Sequence, residues 1–388
     1  MAKKITDSIT YIGADDTDIE LFENQYPLPH GVSYNSYFID DEKIAVTDTI
    51  DIRCSDIWFE QLAEQLAGRQ PDYLIVHHME PDHSANILRA MRMYTGMKLV
   101  ATAKAIAMLP QFFESFDFAD RCIAVRDGDT LSLGKSTLTF ITAAMIHWPE
   151  VMMTYVDTDR LLFSADAFGK FGAISYGDDW LNEARRYYVN IVGKYGPQVQ
   201  SAFRKLEKYK IDVIAPLHGP ALTSDIAYYV SFYNLWSTYV PEQEGTLVAY
   251  ASIYGSTARA ALRFAEMLRS RGDEVVTVDL CREDMSEAVA QAFRMSRLVV
   301  AAPTYDSGLF PAMHDFLHHL RIKNYQGRKA AIIENGSWAP VAGKLMREML
   351  STMKNVETVD QTVTIRSSLH AADLPSMEAL ADDLLKKS

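Results

Sequence analysis

The sequence predicts an α/β chain of two unlike halves: two packed sheets covered by helices, then a doubly wound parallel sheet. Three observations carry this. At 388 residues the chain is long enough for two cores or more. Up to about residue 240, groups of short strand-like runs alternate with helical stretches, the grammar of packed sheets with outer helices. Beyond a polar stretch at Val240-Pro241-Glu242-Gln243-Glu244-Gly245, strands and helices alternate strictly, as in a parallel sheet.

In the first half the strand-like runs are residues 9–12, 36–39, 43–46 and 137–141, with turn signals such as Arg126-Asp127-Gly128-Asp129 between them. Residues 55–66 and 84–92 carry helical patterns. The polar stretch bracketed by Pro241 and Gly245 is a linker by composition, which divides the chain into domains 1–243 and 244–388. After it come strands at 246–251, 274–278, 298–302 and 329–333, with a helix at about 257–271. No repeat or low-complexity tract interrupts them.

Composition excludes several function classes. Net charge is −13 and no Lys/Arg-rich run occurs, so a nucleic-acid partner is disfavoured. Three scattered cysteines, Cys54, Cys122 and Cys281, with no CxxC, fit a reducing compartment. The N-terminus lacks an apolar signal core and no run approaches the length of a membrane span, so a soluble cytoplasmic chain is expected.

The densest chemistry lies in His77-His78-Met79-Glu80-Pro81-Asp82-His83, directly after the apolar run 73–76. One histidine there would be an ordinary turn residue. His78, Glu80, Asp82 and His83, at i, i+2, i+4 and i+5, are four metal-ligand side chains on one strand-to-helix turn, and such crowding needs a cation to neutralise it. A cysteine-free set with two carboxylates suits a hard metal better than a structural zinc. In an extended segment His78 and Glu80 share a side, while Asp82 and His83 fall where the helix begins and can face a second ion. Two ions need more ligands than this turn holds. His147, Asp166 and His218 each follow an apolar strand and precede a loop with Pro or Gly. Any one alone is explained as a turn or helix cap; three together with the turn make a ligand set.

In the second half, the first strand runs into Ser252-Ile253-Tyr254-Gly255-Ser256-Thr257 and a helix, a nest for a phosphate. Alone, a well-capped helix is the alternative reading of this segment. It lacks the P-loop lysine and the three-glycine fingerprint, so ATP and NAD fit badly. Two further strand-end loops change the balance: Pro303-Thr304-Tyr305-Asp306-Ser307-Gly308-Leu309-Phe310-Pro311 and Asn335-Gly336-Ser337-Trp338-Ala339-Pro340. Phosphate at one loop and flat-ring walls at the other two describe a mononucleotide with an aromatic head, at the strand ends where open α/β sheets bind ligands.

The H-x-E-x-D-H turn, His147 before Trp148-Pro149, Asp166 in Ser-Ala-Asp-Ala-Phe-Gly and His218 before Gly219-Pro220 resemble the metallo-β-lactamase-like fold. Glu80 departs from its zinc hydrolases, which carry His at that position, and resembles the flavodiiron proteins instead. The resemblance implies an αββα sandwich in which His78, Glu80 and His147 hold one iron, Asp82, His83 and His218 the other, and Asp166 bridges them. Tyr-Gly-Ser-Thr at 254–257 and Pro-Thr-Tyr-x-x-Gly-Leu-Phe-Pro at 303–311 are similar to the flavodoxin half of that family. This implies a flavodoxin-like sheet binding FMN through Ser252, Ile253, Tyr254, Gly255, Ser256, Thr257, Pro303, Thr304, Tyr305, Asp306, Gly308, Leu309, Asn335, Gly336, Ser337 and Trp338. His30 and Tyr188 look like the family's groups behind the ligands; an ordinary turn histidine and a packed tyrosine are the alternatives. His314, His318, His319 and His370 match no ligand position.

The activity implied is reduction of O2 to water, of NO to N2O, or of both. With no CxxC module in the sequence, electrons are expected from an external rubredoxin or related reductase. The family also implies a head-to-tail homodimer or a homotetramer. A zinc-dependent hydrolase of the same fold, with an accessory flavin domain, is the alternative.

Overall fold

The computed structural model describes residues 2–114, 117–177 and 180–386, and the chain divides into two compact units, Met1–Asn234 and Leu235–Ser388. Among the described residues, the first unit contains a seven-stranded sheet in the order Lys3–Lys4, Ile9–Tyr11, Tyr37–Ile39, Ala45–Thr47, Tyr73–Ile75, Lys98–Thr102, Cys122–Val125. Its first four strands pair antiparallel as a meander, and pairing is parallel from Ala45–Thr47 onward. The second sheet orders Thr130–Ser132, Thr137–Thr142, Met152–Val156, Leu161–Phe163 and Val213–Ala215, antiparallel except for the last pair.

The two sheets face each other across one core. Ile9, Tyr37, Ile39, Ala45, Ile75 and Val100 come from the first, and Leu138, Phe140, Met152, Val156, Leu161 and Phe163 from the second. Two-residue periodicity aims these side chains inward. On the outside, the helix Ser55–Leu66 buries Trp58, Phe59, Leu62 and Leu66 at helical spacing. Layering of this kind puts the strand ends in register at one rim. There the turns after Tyr73–Ile75, Leu161–Phe163 and Val213–Ala215, and the loop after Thr137–Thr142, carry the predicted ligands.

One expected element is divided. Residues 84–92 form no single helix; Pro81–Ser84 and Ile87–Met93 are separate, with Asn86 between them. The Asn86 amide donates to the Ile50 carbonyl at 2.7 Å and its N–H meets Thr49 Oγ1 at 3.2 Å, which holds the break in place. The first piece starts earlier than expected because Pro81 occupies the first helical turn, where its missing N–H costs nothing.

The second unit is a parallel sheet with strand order Val275–Asp279, Gln243–Tyr250, Met295–Tyr305, Lys329–Asn335, Glu357–Ile365. In chain order this is 2-1-3-4-5, the flavodoxin-like arrangement, whose ligands bind outside the switch between first and third strands. Helices Ser256–Ser270 and Leu374–Leu385 cover one face through Phe264, Leu268, Met377, Leu380 and Leu384. The third strand is longer than expected: it runs through Pro303, Thr304 and Tyr305 and turns back on Gly308–Leu309. Asp306 (φ 47°) and Ser307 (φ 59°) are both left-handed, as a two-residue hairpin turn requires. Glu357–Ile365 escaped sequence analysis because it sits at the sheet edge and alternates with polar residues.

Among the described residues, no helix is long and apolar enough to cross a membrane. The core between the first two sheets carries a direct test. Phe140→Ala, at a position 1 % exposed, should cost about 3–5 kcal/mol by leaving a cavity, read as an earlier denaturant midpoint for the first unit by circular dichroism. An unchanged midpoint contradicts the packing.

Candidate functional site

The candidate metal-binding turn is held by an acid that does not belong to it. Asp48 follows the strand Ala45–Thr47, fully buried and left-handed at φ 49°. Its Oδ1 accepts the N–H groups of His77 (2.7 Å) and His78 (3.3 Å), and its Oδ2 faces His77 Nδ1 at 2.5 Å. His77 Nε2 meets Thr154 Oγ1 at 2.8 Å, so His77 ties the two sheets together rather than serving a metal. Such a strained, buried residue persists only where its surroundings over-determine it. Asp48 thereby fixes the strand end from which His78 points the other way.

All seven predicted ligands converge. Ligand atoms of His78, Glu80, His147 and Asp166 lie within 4.8 Å of one another, as do those of Asp82, His83 and His218. In the first group, Glu80 Oε2 stands 3.0 Å from His78 Nε2 and 2.9 Å from His147 Nε2. Asp166 Oδ2 stands 3.0 Å from His147 Nε2 and 3.5 Å from His78 Nε2. In the second, Asp82 Oδ2 stands 3.3 Å from both His83 Nε2 and His218 Nε2, while Asp166 Oδ1 is 3.8 and 3.9 Å from them. Asp166 thus turns one oxygen to each group.

These separations fit ions. Two atoms bonded at about 2.1 Å to one metal at right angles stand ~3.0 Å apart. His83 Nε2 and His218 Nε2 face each other at 3.0 Å, an arrangement for which a shared cation is the natural partner. Among the described residues, both oxygens of Asp82, Oδ1 of Asp166 and Nδ1 of His83 are buried without a hydrogen-bond partner. Buried carboxylates left so cost several kcal/mol or more each unless a cation neutralises them. The residues fit two metal ions.

Protonation tells the same story. Burial opposes charge on His147, but the hydrogen bonds it donates to Asp166 and Glu80 outweigh it and hold its pKa up at about 9. His78 and His218 are likewise raised against burial, by Asp166 and Glu150 and by Asp82 respectively. Burial and neighbouring His218 push His83 down, despite Asp82. Against their own burial, Glu80 and Asp166 are drawn well below the carboxylate range, Glu80 by His147 and His78 and Asp166 chiefly by His78 and His147. His78, His147 and His218 thus favour positive charge beside the carboxylates, while His83 favours the neutral form.

Aromatic rings enclose the ligands. Trp148 lies 5.2 Å from the His78 ring, and Phe22, Tyr34 and Tyr187 lie 5.4, 5.9 and 5.4 Å from that of His218. Of the adjacent pair Tyr187 and Tyr188, it is Tyr187 that faces the site. Its hydroxyl is buried without a hydrogen-bond partner among the described residues, and burial reinforced by Asp166, Asp82 and Glu80 raises its pKa well above the usual value. Tyr188 packs edge-on to Tyr233 at 4.9 Å. His30 stacks on Tyr176 at 3.7 Å.

Three further residues carried no motif. Glu150, three places beyond His147, approaches His78 from behind, with its Oε1 3.0 Å from Nδ1. Glu23 sits at a hairpin tip between Leu21–Phe22 and Tyr26–Pro27, left-handed like Asn24 beside it. The residue as a whole is exposed, but its carboxylate meets that of Glu80; burial, then the charge of Glu80, pushes it up to about 7. Tyr187 was hidden beside an identical neighbour, which only the helix phase separates.

In the second unit, a cleft of about 620 Å³ opens at the strand ends. Ser252, Ile253, Tyr254, Ser256 and Thr257 line it from the first loop, Pro303, Thr304 and Asp306 from the second, and Asn335, Gly336, Ser337 and Trp338 from the third. Gly255 contributes conformation: at φ 88° it directs the chain into the helix Ser256–Ser270, and its N–H is taken by Ser252 Oγ at 3.1 Å. Tyr305, Gly308 and Leu309 form the hairpin beside the cleft, while Ser307, Ala339 and Ser367 join its lining. Some polar groups serve the loops themselves. Thr304 Oγ1 accepts from Val341 and Ala342 N–H, and the Asn335 amide pairs with the Ser367 backbone. Tyr254 and Trp338 are 94 % and 81 % exposed, two bare rings flanking a helix N-terminus. A phosphate at that terminus and a flat ring between the aromatics fit this shape.

Comparison with known proteins agrees with both units. The family model described as ODP family beta lactamase matches residues 32–219. A nitric oxide reductase of Moorella thermoacetica is 29 % identical over 374 residues, covering 90 % of each chain. Two solved structures share the fold from end to end. Rubredoxin oxygen:oxidoreductase from Desulfovibrio gigas has a TM-score of 0.93 at 24 % identity, covering 99 % of this chain and 98 % of that one. The flavodiiron protein from Giardia intestinalis has a TM-score of 0.91 at 24 % identity, covering 99 % and 97 %. With a metallo-β-lactamase-like unit followed by a flavodoxin-like one, the chain resembles the flavodiiron proteins and shares their fold along its length.

Proposed function

We propose that this protein is a flavodiiron oxidoreductase that reduces O2 to water, NO to N2O, or both. One observation carries the reading: two sets of two histidines and a carboxylate, His78–His147–Glu80 and His83–His218–Asp82, share Asp166. Two histidines with one carboxylate is the donor set of non-haem ferrous centres with open positions. The names of the Moorella and D. gigas relatives support NO and O2 as substrates. Glu80 and the flavodoxin-like unit both weigh against the zinc hydrolase alternative.

His78, Glu80 and His147 would hold one iron, Asp82, His83 and His218 the other, with Asp166 between them. FMN would occupy the cleft with its phosphate at Ser256 and Thr257 and its ring toward Tyr254 and Trp338. When bound, two ferrous ions and reduced FMN supply up to four electrons: O2 takes four with four protons to give two waters, and two NO take two with two protons to give N2O and water. The chain's own residues do the rest. Phe22, Tyr34 and Trp148 keep bulk water from the ligands, which strengthens every charge interaction inside. The Tyr187 hydroxyl, otherwise unpartnered, is placed to donate a proton into the site. A rubredoxin or related reductase is the electron donor in this reading, and a head-to-tail homodimer or homotetramer would bring flavin to iron. The cysteine pattern supports the cytoplasm as its location.

Purified protein loaded to two irons and one FMN per chain should consume O2 or NO anaerobically reduced at an electrode. If a fully loaded, reduced sample consumes neither gas, the function is wrong; zinc with esterase activity points to the hydrolase. Tyr187→Phe should slow turnover by roughly 10²-fold, the lower end for loss of a positioned proton donor, with iron content intact. Tyr188→Phe should slow it far less, and the reverse order overturns the assignment. The His147 proton must leave when a cation binds. Since the metal-free protein holds that proton up to about pH 9, apparent metal affinity should rise about tenfold or more per pH unit from 6 toward 9 and flatten above. Equilibrium dialysis against a divalent metal reads this slope, and a flat profile contradicts it.

A further inference from the structure

Each histidine that would hold a metal through Nε2 has a second nitrogen, and what faces that nitrogen differs between the two metal positions. His78, fully buried, has its Nδ1 3.0 Å from Glu150 Oε1, and the same oxygen accepts the Met79 N–H at 2.9 Å. Glu150 is 2 % exposed, its backbone carbonyl is held by Thr102 Oγ1 at 3.0 Å, and its other oxygen is buried without a hydrogen-bond partner among the described residues. Behind the second position, His218 Nδ1 faces the neutral Ser33 carbonyl at 2.8 Å, and among the described residues His83 Nδ1 has no hydrogen-bond partner.

An acceptor on Nδ1 fixes the tautomer, so Nε2 is left free to ligate. A carboxylate does more than a carbonyl, because its charge makes the ring a stronger donor and attracts the ion through a low-dielectric interior. Glu150 is itself unfavourable there: a buried acid with one oxygen unpaired needs positive charge nearby. His78 with an ion beyond it supplies that charge. Met79 N–H, on the turn itself, prevents the carboxylate from swinging away.

We infer that Glu150 is a positioning residue that makes the two metal positions unequal: through His78 it tightens the His78–Glu80–His147 position, and the Asp82–His83–His218 position releases its ion first. This rests on the diiron reading above. It adds an order of metal loss, and a residue responsible for it, that the ligand set by itself does not specify.

The full-length, iron-loaded protein is challenged with an excess of a ferrous chelator while released iron is followed by absorbance and remaining iron by electron paramagnetic resonance. Wild-type protein should lose its two irons in two phases. Glu150→Gln keeps an acceptor for Nδ1 and removes the charge; it should accelerate the slow phase about 10–100-fold, the usual cost of such outer partners, and leave the fast phase unchanged. Glu150→Asp, which restores the charge, should recover part of the slow phase. A single phase for both irons in the wild type overturns the inference without any variant, as does equal acceleration of both phases or no acceleration in Glu150→Gln. Wild-type protein that retains no iron at all, after reconstitution, instead overturns the diiron reading.

Discussion

Everything at the metal end of this molecule depends on one carboxylate facing two ways. Asp166 sends Oδ2 toward His78 and His147 and Oδ1 toward His83 and His218, so two otherwise separate groups share a member. Its position is built from strain on both sides. Ala165 (φ 51°) and Phe168 (φ 67°) are left-handed, and Ser164 Oγ clamps the Ala167 carbonyl. Each left-handed non-glycine costs of order 1 kcal/mol or more, which only a well-packed frame can absorb. Phe163, the last residue of the preceding strand, lies in the core between the two sheets and supplies that frame.

The scaffold divides labour between sheets and acids. The sheets set where each strand ends, which fixes ligand positions to the precision of a packed core. Acids then orient the rings: Asp48 through the backbone of His77 and His78, and Glu150 through the His78 imidazole. Neither is a ligand, and both lie on different strands or loops from the turn they serve. The seven candidate ligands are thus held together with no ion among them, by histidine–carboxylate pairing such as His147 with Glu80 and Asp166.

Much of this was legible in the sequence. The candidate ligands stood out because each is a polar residue at the end of an apolar run, and the fold brings them into two groups that share Asp166. The helix Ser55–Leu66 and the alternation of the second unit followed from hydrophobic period. What stayed hidden shares a cause. Glu23, Glu150 and Tyr187 act through contacts made by folding, at sequence distances where no spacing rule applies. Tyr187 and Tyr188 are chemically identical neighbours, separated by the helical rotation between them. The break at Asn86 came from hydrogen bonds to Thr49 and Ile50, a tertiary cost that local propensity does not register. The edge strand Glu357–Ile365 was missed because a partly solvated strand reads as polar.

The Glu23 hairpin has a consequence for how such a site can change over time. Phe22 and Tyr26, on either side of its tip, provide the anchorage, one against His218 and the other through the Asn190 carbonyl. Glu23 itself supports nothing in the core, yet its carboxylate reaches Glu80. An exposed charge at the edge of the site is therefore encoded by a single codon in a hairpin turn. Evolution could retune the mouth of this centre, from acidic to neutral or basic, while the sheets, the seven ligands and their supporting acids remain untouched.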